Sequence, residues 1–397
     1  MQPDDGFRAE AVAWLEEHAP AARARLDAAT TDGEQFEAGR AWQRELFDGG
    51  WAGVAWPIEY GGRGATPAQA TIFAREQARF AVSAGFVAST VGMVGPVLLR
   101  HGSAVQRARY VRPLLRADET WCQLFSEPSA GSDLANLATR AVRDGDELVV
   151  NGQKVWTSNA HRCDFAILLA RTNPDVPKHH GISFLLLDLH TPGVEIRALR
   201  QITGAAHFNE VFLTDVRVPL ANVVGEIDGG WAPARAVLAH EAAVIGGGNA
   251  AAAGYSALVA LARTRERTAE PVVRQRLARA YTSEQILQYL KQRAQQAGAG
   301  GRGAVDGSVL KVLWSEARRA RAELGVALLG AAGSLLGAEG ALYDDWPIQL
   351  LEQFSSTIGG GTNEVHRTMI GERVLGLPPE PRVDRDVAYR ELAARRA

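Results

Sequence analysis

The fold is decided by the segment Leu124-Phe125-Ser126-Glu127-Pro128-Ser129-Ala130-Gly131-Ser132-Asp133-Leu134-Ala135-Asn136. This segment joins a Ser-Glu-Pro turn to a Gly-Ser-Asp turn in one short loop, directly after an apolar stretch. Such a loop presents backbone N–H groups and hydroxyls to an electron-rich ligand, and its glycine allows the ligand to approach the backbone closely. The segment therefore predicts a ligand-binding loop.

The composition is typical of a globular protein, because 22% of the 397 residues are charged, 46% are hydrophobic and the formal net charge is -2. This length predicts two or three packed domains. The charge balance gives no support to a nucleic-acid or membrane-binding role, and no apolar run is long enough to span a bilayer. The acidic N-terminus does not resemble a secretory signal, so we expect a cytoplasmic protein. We expect Cys122 and Cys163 to be reduced structural thiols.

The periodicity of apolar residues divides the chain into three predicted domains. Residues 1–118 show helical spacing, residues 119–228 contain short β-type runs, and residues 229–397 return to helical spacing. In the middle region, Asn151-Gly152 predicts a hairpin turn between two strands. Residues 298–303 match G-x-G-x-x-G but follow a helix, so we expect a loop and no dinucleotide site. The polar segment from Pro378 onward is expected to be peripheral.

Two further clusters combine chemistry that suits a flat polar ligand. The first cluster is Trp156-Thr157-Ser158-Asn159, which places an indole beside two hydroxyls. The second is residues 358–367, in which three glycines precede a predicted helix N-terminus at Thr362. Taken alone, the first cluster favours a buried tryptophan at a strand end. The second taken alone favours an ordinary glycine loop with a threonine N-cap.

Together these segments resemble the signatures of the acyl-CoA dehydrogenase flavoproteins, as does the loop Trp56-Pro57-Ile58-Glu59-Tyr60-Gly61-Gly62-Arg63-Gly64. The resemblance covers essentially the whole chain. It implies an α+β fold with an N-terminal helical domain, a middle β-barrel domain and a C-terminal four-helix-bundle domain that ends in a polar tail. It also implies FAD as cofactor.

The resemblance further implies which residues form the site. In the family, the tryptophan of the first cluster flanks the isoalloxazine ring, and the hydroxyl at Ser158 would bond near its reactive nitrogen. Ser132 and Gly360 are expected to contact the substrate. The expected FAD-binding residues are Gln123, Phe125, Ser126, Gly131, Ser132, Trp156, Thr157, Ser158, Arg265, Thr362 and Glu364. Arg265 would bind the FAD pyrophosphate across a subunit interface, but the Phe-Gly that accompanies this arginine in the family is absent here.

Acyl-CoA dehydrogenation requires a carboxylate base, which takes the α proton while the β hydride goes to the flavin. Most of the family places this glutamate directly before the Gly-Thr of the C-terminal segment, where this chain has Gly360. Relatives similar to the isovaleryl-CoA and long-chain dehydrogenases place it on an earlier helix. The resemblance then implies Glu241 as the base.

The helix around Glu241 supports this assignment independently, because its neighbours on the same face are all apolar: Val237, Leu238, Val244 and Ile245. Burial raises the pKa of a carboxylate, which suits a base that works near neutral pH. A glutamate that pairs with a core arginine and only joins helices explains the helix position equally well. The absence of a glutamate at position 360 favours the catalytic role.

The sequence thus predicts FAD-dependent oxidation of a saturated acyl-CoA, or acyl carrier protein thioester, to the trans-2-enoyl thioester. By resemblance, electrons would leave to an electron-transfer flavoprotein, and the chain would form a homodimer or homotetramer. Two alternatives stay open: a flavin monooxygenase on the same scaffold, and an FAD-sharing partner subunit of a heteromeric enzyme. No metal site is expected, because His179 and His180 have no third ligand at suitable spacing.

Overall fold

The computed structural model describes residues 3–247, 254–297, 306–335, 346–382 and 384–394. The chain forms two compact units. The first comprises Met1–Gln201, Ala205–Val237 and Arg382–Ala397, and the second comprises Ile202–Gly204 and Leu238–Pro381. The predicted boundaries at residues 118 and 228 stay a prediction. The loop predicted at residues 298–303 lies outside the described residues.

The N-terminal part of the first unit is helical, as the periodicity predicts. Its helices are α1 (Pro3–Ala28), α2 (Asp32–Asp48), α3 (Pro67–Arg79), α4 (Gly85–His101) and α5 (Ala104–Arg116). Capping boxes at Thr31, Thr66 and Ser103 begin α2, α3 and α5, since each side chain accepts from a backbone N–H three residues on. The core of these helices contains Trp42 and Leu15, both without exposure to solvent.

The middle part of the first unit is a curled seven-stranded sheet. Its strands are β1 (Trp121–Leu124), β2 (Arg140–Asp144), β3 (Glu147–Ser158), β4 (Phe165–Arg171), β5 (Ile182–Asp188), β6 (Val194–Leu199) and β7 (Phe208–Pro219). The order is β1-β4-β2-β3-β7-β6, and β5 pairs with β4. β1 runs parallel to β4, whereas β3 and β7 form a long antiparallel pair. The inward-facing residues, such as Val150, Leu168 and Val211, are fully buried.

The hairpin turn predicted at Asn151-Gly152 is wrong in position. β3 runs through both residues, and the turn that joins β2 to β3 lies instead at Gly145-Asp146, where Gly145 has φ +63°. Asn151 is held within the strand because its side chain exchanges two hydrogen bonds of 3.0 Å with Asp215. Gly152 packs against Thr139, whose Oγ1 would lie 2.3 Å from an added Cβ. This glycine therefore serves close packing between strands.

The second unit is helical. Helix α6 (Trp231–Gly247) begins in the first unit and continues into the second, followed by α7 (Tyr255–Thr264), α8 (Pro271–Ala297), α9 (Gly307–Leu329), α10 (Trp346–Ile358) and α11 (Asn363–Met369). The Trp346 indole is fully buried and packs on α9 at Gly325, where an added Cβ would lie 2.2 Å from the ring. No helix among the described residues is long and apolar enough to cross a membrane.

Residues 378–382 are exposed, which fits the expected peripheral segment, whereas the residues from 384 onward contact the first unit. A short helix, α12 (Tyr389–Ala394), returns to the first unit and packs on the connection between β4 and β5. The backbone N–H of Tyr389 donates to Val176 O at 2.9 Å, and that of Arg390 donates to Pro174 O at 3.0 Å. Residues 384–394 are thus tied to the sheet, and we call them the C-terminal segment below.

Candidate active site

The Ser-Glu-Pro turn is fixed from inside by a buried ion pair. The Glu127 carboxylate lies 2.8 Å from Lys154 Nζ, and the Lys154 side chain has no exposure to solvent. Glu127 also accepts hydrogen bonds from the backbone N–H groups of Ala138 and Thr139 at 2.6 and 2.9 Å, while Lys154 donates to Phe125 O at 3.0 Å. Burial raises the pKa of Glu127, but the Lys154 ammonium and these donors outweigh it and lower that pKa. The turn is therefore rigid and its carboxylate is ionised.

Two cations hold the loop that follows. Lys178 binds the Asp133 carboxylate at 2.9 Å, and the buried Arg171 guanidinium donates to Ala135 O at 2.6 Å and Leu137 O at 3.2 Å. Between these anchors and the Ser-Glu-Pro turn, Gly131 and Ser132 are exposed, and nothing lies within 4 Å of an added Cβ at Gly131. The loop thus offers a hydroxyl and open backbone to a ligand.

The Trp156 cluster lies beside this loop. A β-bulge between Lys154 and Thr157 interrupts the pairing with β7, and Trp156 adopts a left-handed backbone at φ +61°. The indole is 62% exposed, so the interpretation as a buried tryptophan is wrong. The Val155 N–H donates to Ser126 O at 2.9 Å, which joins the cluster to the Ser-Glu-Pro turn.

Thr157, which is predicted to bind FAD, lies inside the sheet. The residue is 1% exposed, yet its Oγ1 has no hydrogen-bond partner among the described residues. Because this oxygen is inaccessible from the surface, a ligand that lies on the Trp156 indole would reach it only if the strand rearranged. The exposed Trp156 indole and the half-buried Ser158 hydroxyl fit a flat ring with polar edges.

The remaining predicted residues of the first unit lie at the end of β1. Gln123 is half-buried on the strand and pairs in register with Ile167. The Phe125 ring is buried in the core, edge-on to Phe184 at 6.0 Å between ring centroids. Gln123, Phe125 and Ser126 are neighbours in the sequence and lead into the loop that is predicted to bind a ligand, and their contact with FAD stays a prediction.

The glycine segment of the second unit forms a tight turn before α11. Gly360 and Gly361 have φ values of +65° and +91°. Thr362 caps α11, because its Oγ1 accepts from the Val365 N–H at 3.2 Å, and this confirms the predicted N-cap. Glu364, in the first turn of the helix, is exposed.

Lys311, which the sequence pattern did not indicate as a site residue, stabilises this turn through hydrogen bonds. Lys311 on α9 has no exposure to solvent and donates to Gly361 O and, at 3.0 Å, to Asn363 Oδ1. Burial lowers its pKa to about 8. His366 also contacts this turn, because its Nε2 lies 2.8 Å from Gly360 O.

The predicted base and the predicted pyrophosphate-binding arginine lie on helices of the second unit. Glu241 is partly exposed on α6, one turn beyond the fully buried Val237. The side chains of Val244 and Ile245, which also define its apolar face, lie outside the described residues. Arg265 ends α7 and is partly exposed, with its backbone N–H donating to Leu261 O at 3.0 Å.

The two buried lysines leave a weak signal in the sequence. Lys154 occupies an inward-facing position of a strand, and Lys311 interrupts the apolar run Val309-Leu310-Lys311-Val312-Leu313. A lysine at such a position is seldom kept without oxygen partners. No group of three or more potential metal-ligating side chains is present among the described residues.

Comparison with known proteins identifies the family. Residues 4–118, 122–216 and 228–375 match the N-terminal, middle and C-terminal domains of acyl-CoA dehydrogenases. The chain is 39% identical to acyl-CoA dehydrogenase IpdE1 of Mycobacterium tuberculosis, over 96% of this chain and 99% of that one.

Solved structures agree with this assignment. The Tcur3481-Tcur3483 steroid ACAD is 31% identical with a TM-score of 0.78, covering 96% of this chain and 99% of the other. The ChsE4-ChsE5 complex from Mycobacterium tuberculosis contains a chain that is 29% identical with a TM-score of 0.73, covering 95% and 98%. The resemblance noted from the sequence is confirmed: the chain belongs to the acyl-CoA dehydrogenase family and is an oxidoreductase.

Proposed function

We propose that this protein binds FAD and oxidises a saturated acyl-CoA to the trans-2-enoyl-CoA. The observation that carries the proposal is the Trp156 cluster, in which an exposed indole precedes the partly exposed Ser158 hydroxyl and is joined through Val155 to the Ser-Glu-Pro turn. A flavin ring would cover the indole and remove its apolar surface from water. Ser158 and Ser126 would complete the polar edge of this site.

The reaction removes two hydrogens from adjacent carbons of the acyl chain. FAD, when bound, accepts the β hydrogen with its electron pair. Glu241 takes the α proton, so the C–H electron pair that it leaves behind becomes the new double bond. Gly131 and Ser132 would bind the polar parts of the ligands through the open edge of their loop, and Thr362 and Glu364 would contact FAD from the start of α11. The electrons would leave to an electron-transfer flavoprotein.

We further propose a bulky, polycyclic acyl group. A solved structure similar to this chain is a steroid ACAD. Glycine at position 360, where most of the family has the glutamate base, leaves room for a large substrate beside the turn. Because glycine has no side chain, the volume that a glutamate would fill at position 360 is available to the substrate.

The first experiment is anaerobic bleaching of the bound flavin by short, branched, long and polycyclic acyl-CoA thioesters. Rapid bleaching by the polycyclic class supports both the dehydrogenase and its substrate class. Bleaching by another class supports the dehydrogenase and refutes the polycyclic proposal. Bound FAD that no thioester bleaches, but that oxygen reoxidises rapidly to give a hydroxylated product, supports a monooxygenase instead.

The base is tested with Glu241→Gln. We expect this variant to retain FAD and to lose at least ~100-fold in the rate of flavin reduction, the lower end expected when a general base is removed. A matched control is Glu323→Gln on α9, since Glu323 forms an exposed surface ion pair with Arg319. Undiminished reduction in Glu241→Gln, with the control unchanged, would exclude Glu241 as the base.

A second candidate function is that of an FAD-sharing subunit in a heteromeric dehydrogenase. The missing Phe-Gly after Arg265 favours it, because that element completes the pyrophosphate site across the subunit interface in the family. One similar structure is the ChsE4-ChsE5 complex, which is an assembly of two components. If the isolated chain retains FAD, the first function is supported. If it binds FAD only together with a second, different subunit, the heteromeric function is supported.

A further inference from the structure

We propose that the C-terminal segment, residues 384–394, positions the Gly131–Asp133 loop and so sets the affinity for the anionic ligand that this loop binds. The ligand half of this inference rests on the proposed function, whereas the positioning half does not. The proposal rests on Lys178 and Arg171, which hold the loop and each have a second partner in the C-terminal segment.

The first of these cations is Lys178. Its ammonium lies 2.9 Å from Asp133 and 2.7 Å from Asp384, and its side chain is only 11% exposed. Burial lowers the pKa of Lys178, but the two carboxylates outweigh it and raise that pKa, so the ammonium stays charged. Lys178 therefore links the C-terminal segment directly to the residue that ends the Gly-Ser-Asp turn.

The second cation is Arg171, which is 4% exposed and donates to Ala135 O and Leu137 O of the same loop. Its guanidinium lies over the Tyr389 ring, 3.6 Å from the ring centroid. Such a cation–π contact is strongest when water is excluded, and the tyrosine ring covers the face of this guanidinium. Burial lowers the pKa of Arg171, and interaction with Tyr389 opposes that effect.

The C-terminal segment is itself held at this place by its backbone. Tyr389 and Arg390 donate to carbonyls of residues 176 and 174, and Ala388 forms a β-bridge with Pro177. These anchors lie in the connection between Arg171 and Lys178. The contacts of the segment therefore converge on the two side chains that fix the loop at residues 133, 135 and 137.

Removal of the C-terminal segment would expose Arg171 to water and leave Lys178 with one carboxylate. Both side chains would then hold the loop less tightly, because solvent competes for their charge and their rotamers gain freedom. The turn hydrogen bonds from the Asn136 N–H to Asp133 O and from the Leu137 N–H to Leu134 O report on the loop directly.

The experiment compares the full chain with a variant that ends at Pro381 and with the point variants Asp384→Asn and Tyr389→Leu. We expect hydrogen exchange at the Asn136 and Leu137 amides to accelerate in all three. We also expect the dissociation constant for FAD, or KM for the thioester, to rise at least about fivefold in the shortened chain, the lower end of typical coupling between two sites.

Arg390→Ala is the matched control, because Arg390 forms an exposed ion pair with Asp175 but contacts neither cation through its side chain. It should exchange and bind like the full chain. Unchanged exchange at Asn136 and Leu137 in the shortened chain would overturn the proposal, whether or not FAD binds. Faster exchange with unchanged ligand affinity would also refute it. A full chain that binds neither FAD nor thioester would refute the proposed function alone, since the exchange measurement needs no ligand.

Discussion

Two lysines without exposure to solvent hold the two turns that are predicted to face the ligand. Lys154 holds the Ser-Glu-Pro turn in the first unit through Glu127, and Lys311 holds the glycine turn in the second unit through Asn363 and Gly361. A buried ammonium is tolerated only where oxygens surround it, so each lysine fixes the backbone that supplies those oxygens. Both turns are thus positioned by side chains that lie beneath the surface.

The Glu127–Lys154 pair gives a prediction for single-residue changes. We expect Glu127→Gln or Lys154→Met to lower the free energy of unfolding by about 3–5 kcal/mol, because each leaves one buried charge without its partner. The double variant should lose less than the sum of the two, with an interaction energy of about 1 kcal/mol or more. Urea denaturation of the four proteins measures this cycle.

Glu147→Gln serves as the control on the same strand. Glu147 pairs with Arg217 at 2.8 Å, but both side chains are solvent-exposed, so we expect a change within about 0.5 kcal/mol. Strictly additive losses for Glu127 and Lys154 would show that the pair is not energetically coupled.

At the scale of elements, the sequence pattern predicts regular helices and buried strands well, and irregular strands poorly. β4 and β5 are near-continuous apolar runs within the region of residues 119–228 in which the sequence predicts short strands. β3 misleads because Asn151-Gly152 is a strong hairpin signal, yet a hydrogen-bonded Asp215 and the close contact with Thr139 keep it in the strand. The partner residues that decide this lie far away in the sequence.

The same limit applies to the candidate site. The exposed state of Trp156 depends on a bulge in the pairing of β3 with β7, which the local pattern does not encode. The N-cap at Thr362 is local, and the sequence predicts it correctly. The roles assigned to Glu241, Arg265 and the flavin-facing residues stay predictions.

The glycine turn gives a pH prediction at this scale. Burial lowers the pKa of Lys311 to about 8, opposed by the Glu364 charge, and His366, which contacts the same turn, also has a lowered pKa through burial. Above pH about 8 the folded protein loses a proton at Lys311, and with it one donor to the turn. We therefore expect kcat/KM for the thioester to fall above this pH.

The free energy of unfolding should change with pH in the opposite direction to kcat/KM. Between pH about 8 and about 10.5 the unfolded chain binds more protons at this lysine than the folded chain, so its contribution to the free energy of unfolding rises with pH. Lys311→Arg keeps its charge throughout this range, and the alkaline fall in kcat/KM should be absent from it. A fall that persists unchanged in this variant would assign the titration to another group.

At the scale of the whole molecule, the order of helical, β and helical regions follows from periodicity alone. What the sequence did not predict is the return of residues 384–394 to the first unit. That return depends on Asp384, Tyr389 and the backbone around Pro177, and no local pattern connects residues two hundred positions apart.

FAD binding shows whether this chain works alone or needs a second subunit. The exposed Trp156 ring and the partly exposed Ser126 and Ser158 hydroxyls all lie in the first unit, so we expect the purified chain to bind FAD by itself. At free FAD one hundred times its dissociation constant, binding should stabilise the folded state by about 2.7 kcal/mol. Thermal unfolding of the stripped chain with and without added FAD measures this, and Trp156→Ala should weaken the effect. Stabilisation that occurs only with a second, different subunit would instead assign the chain to a heteromeric enzyme, with its pyrophosphate site completed by that partner.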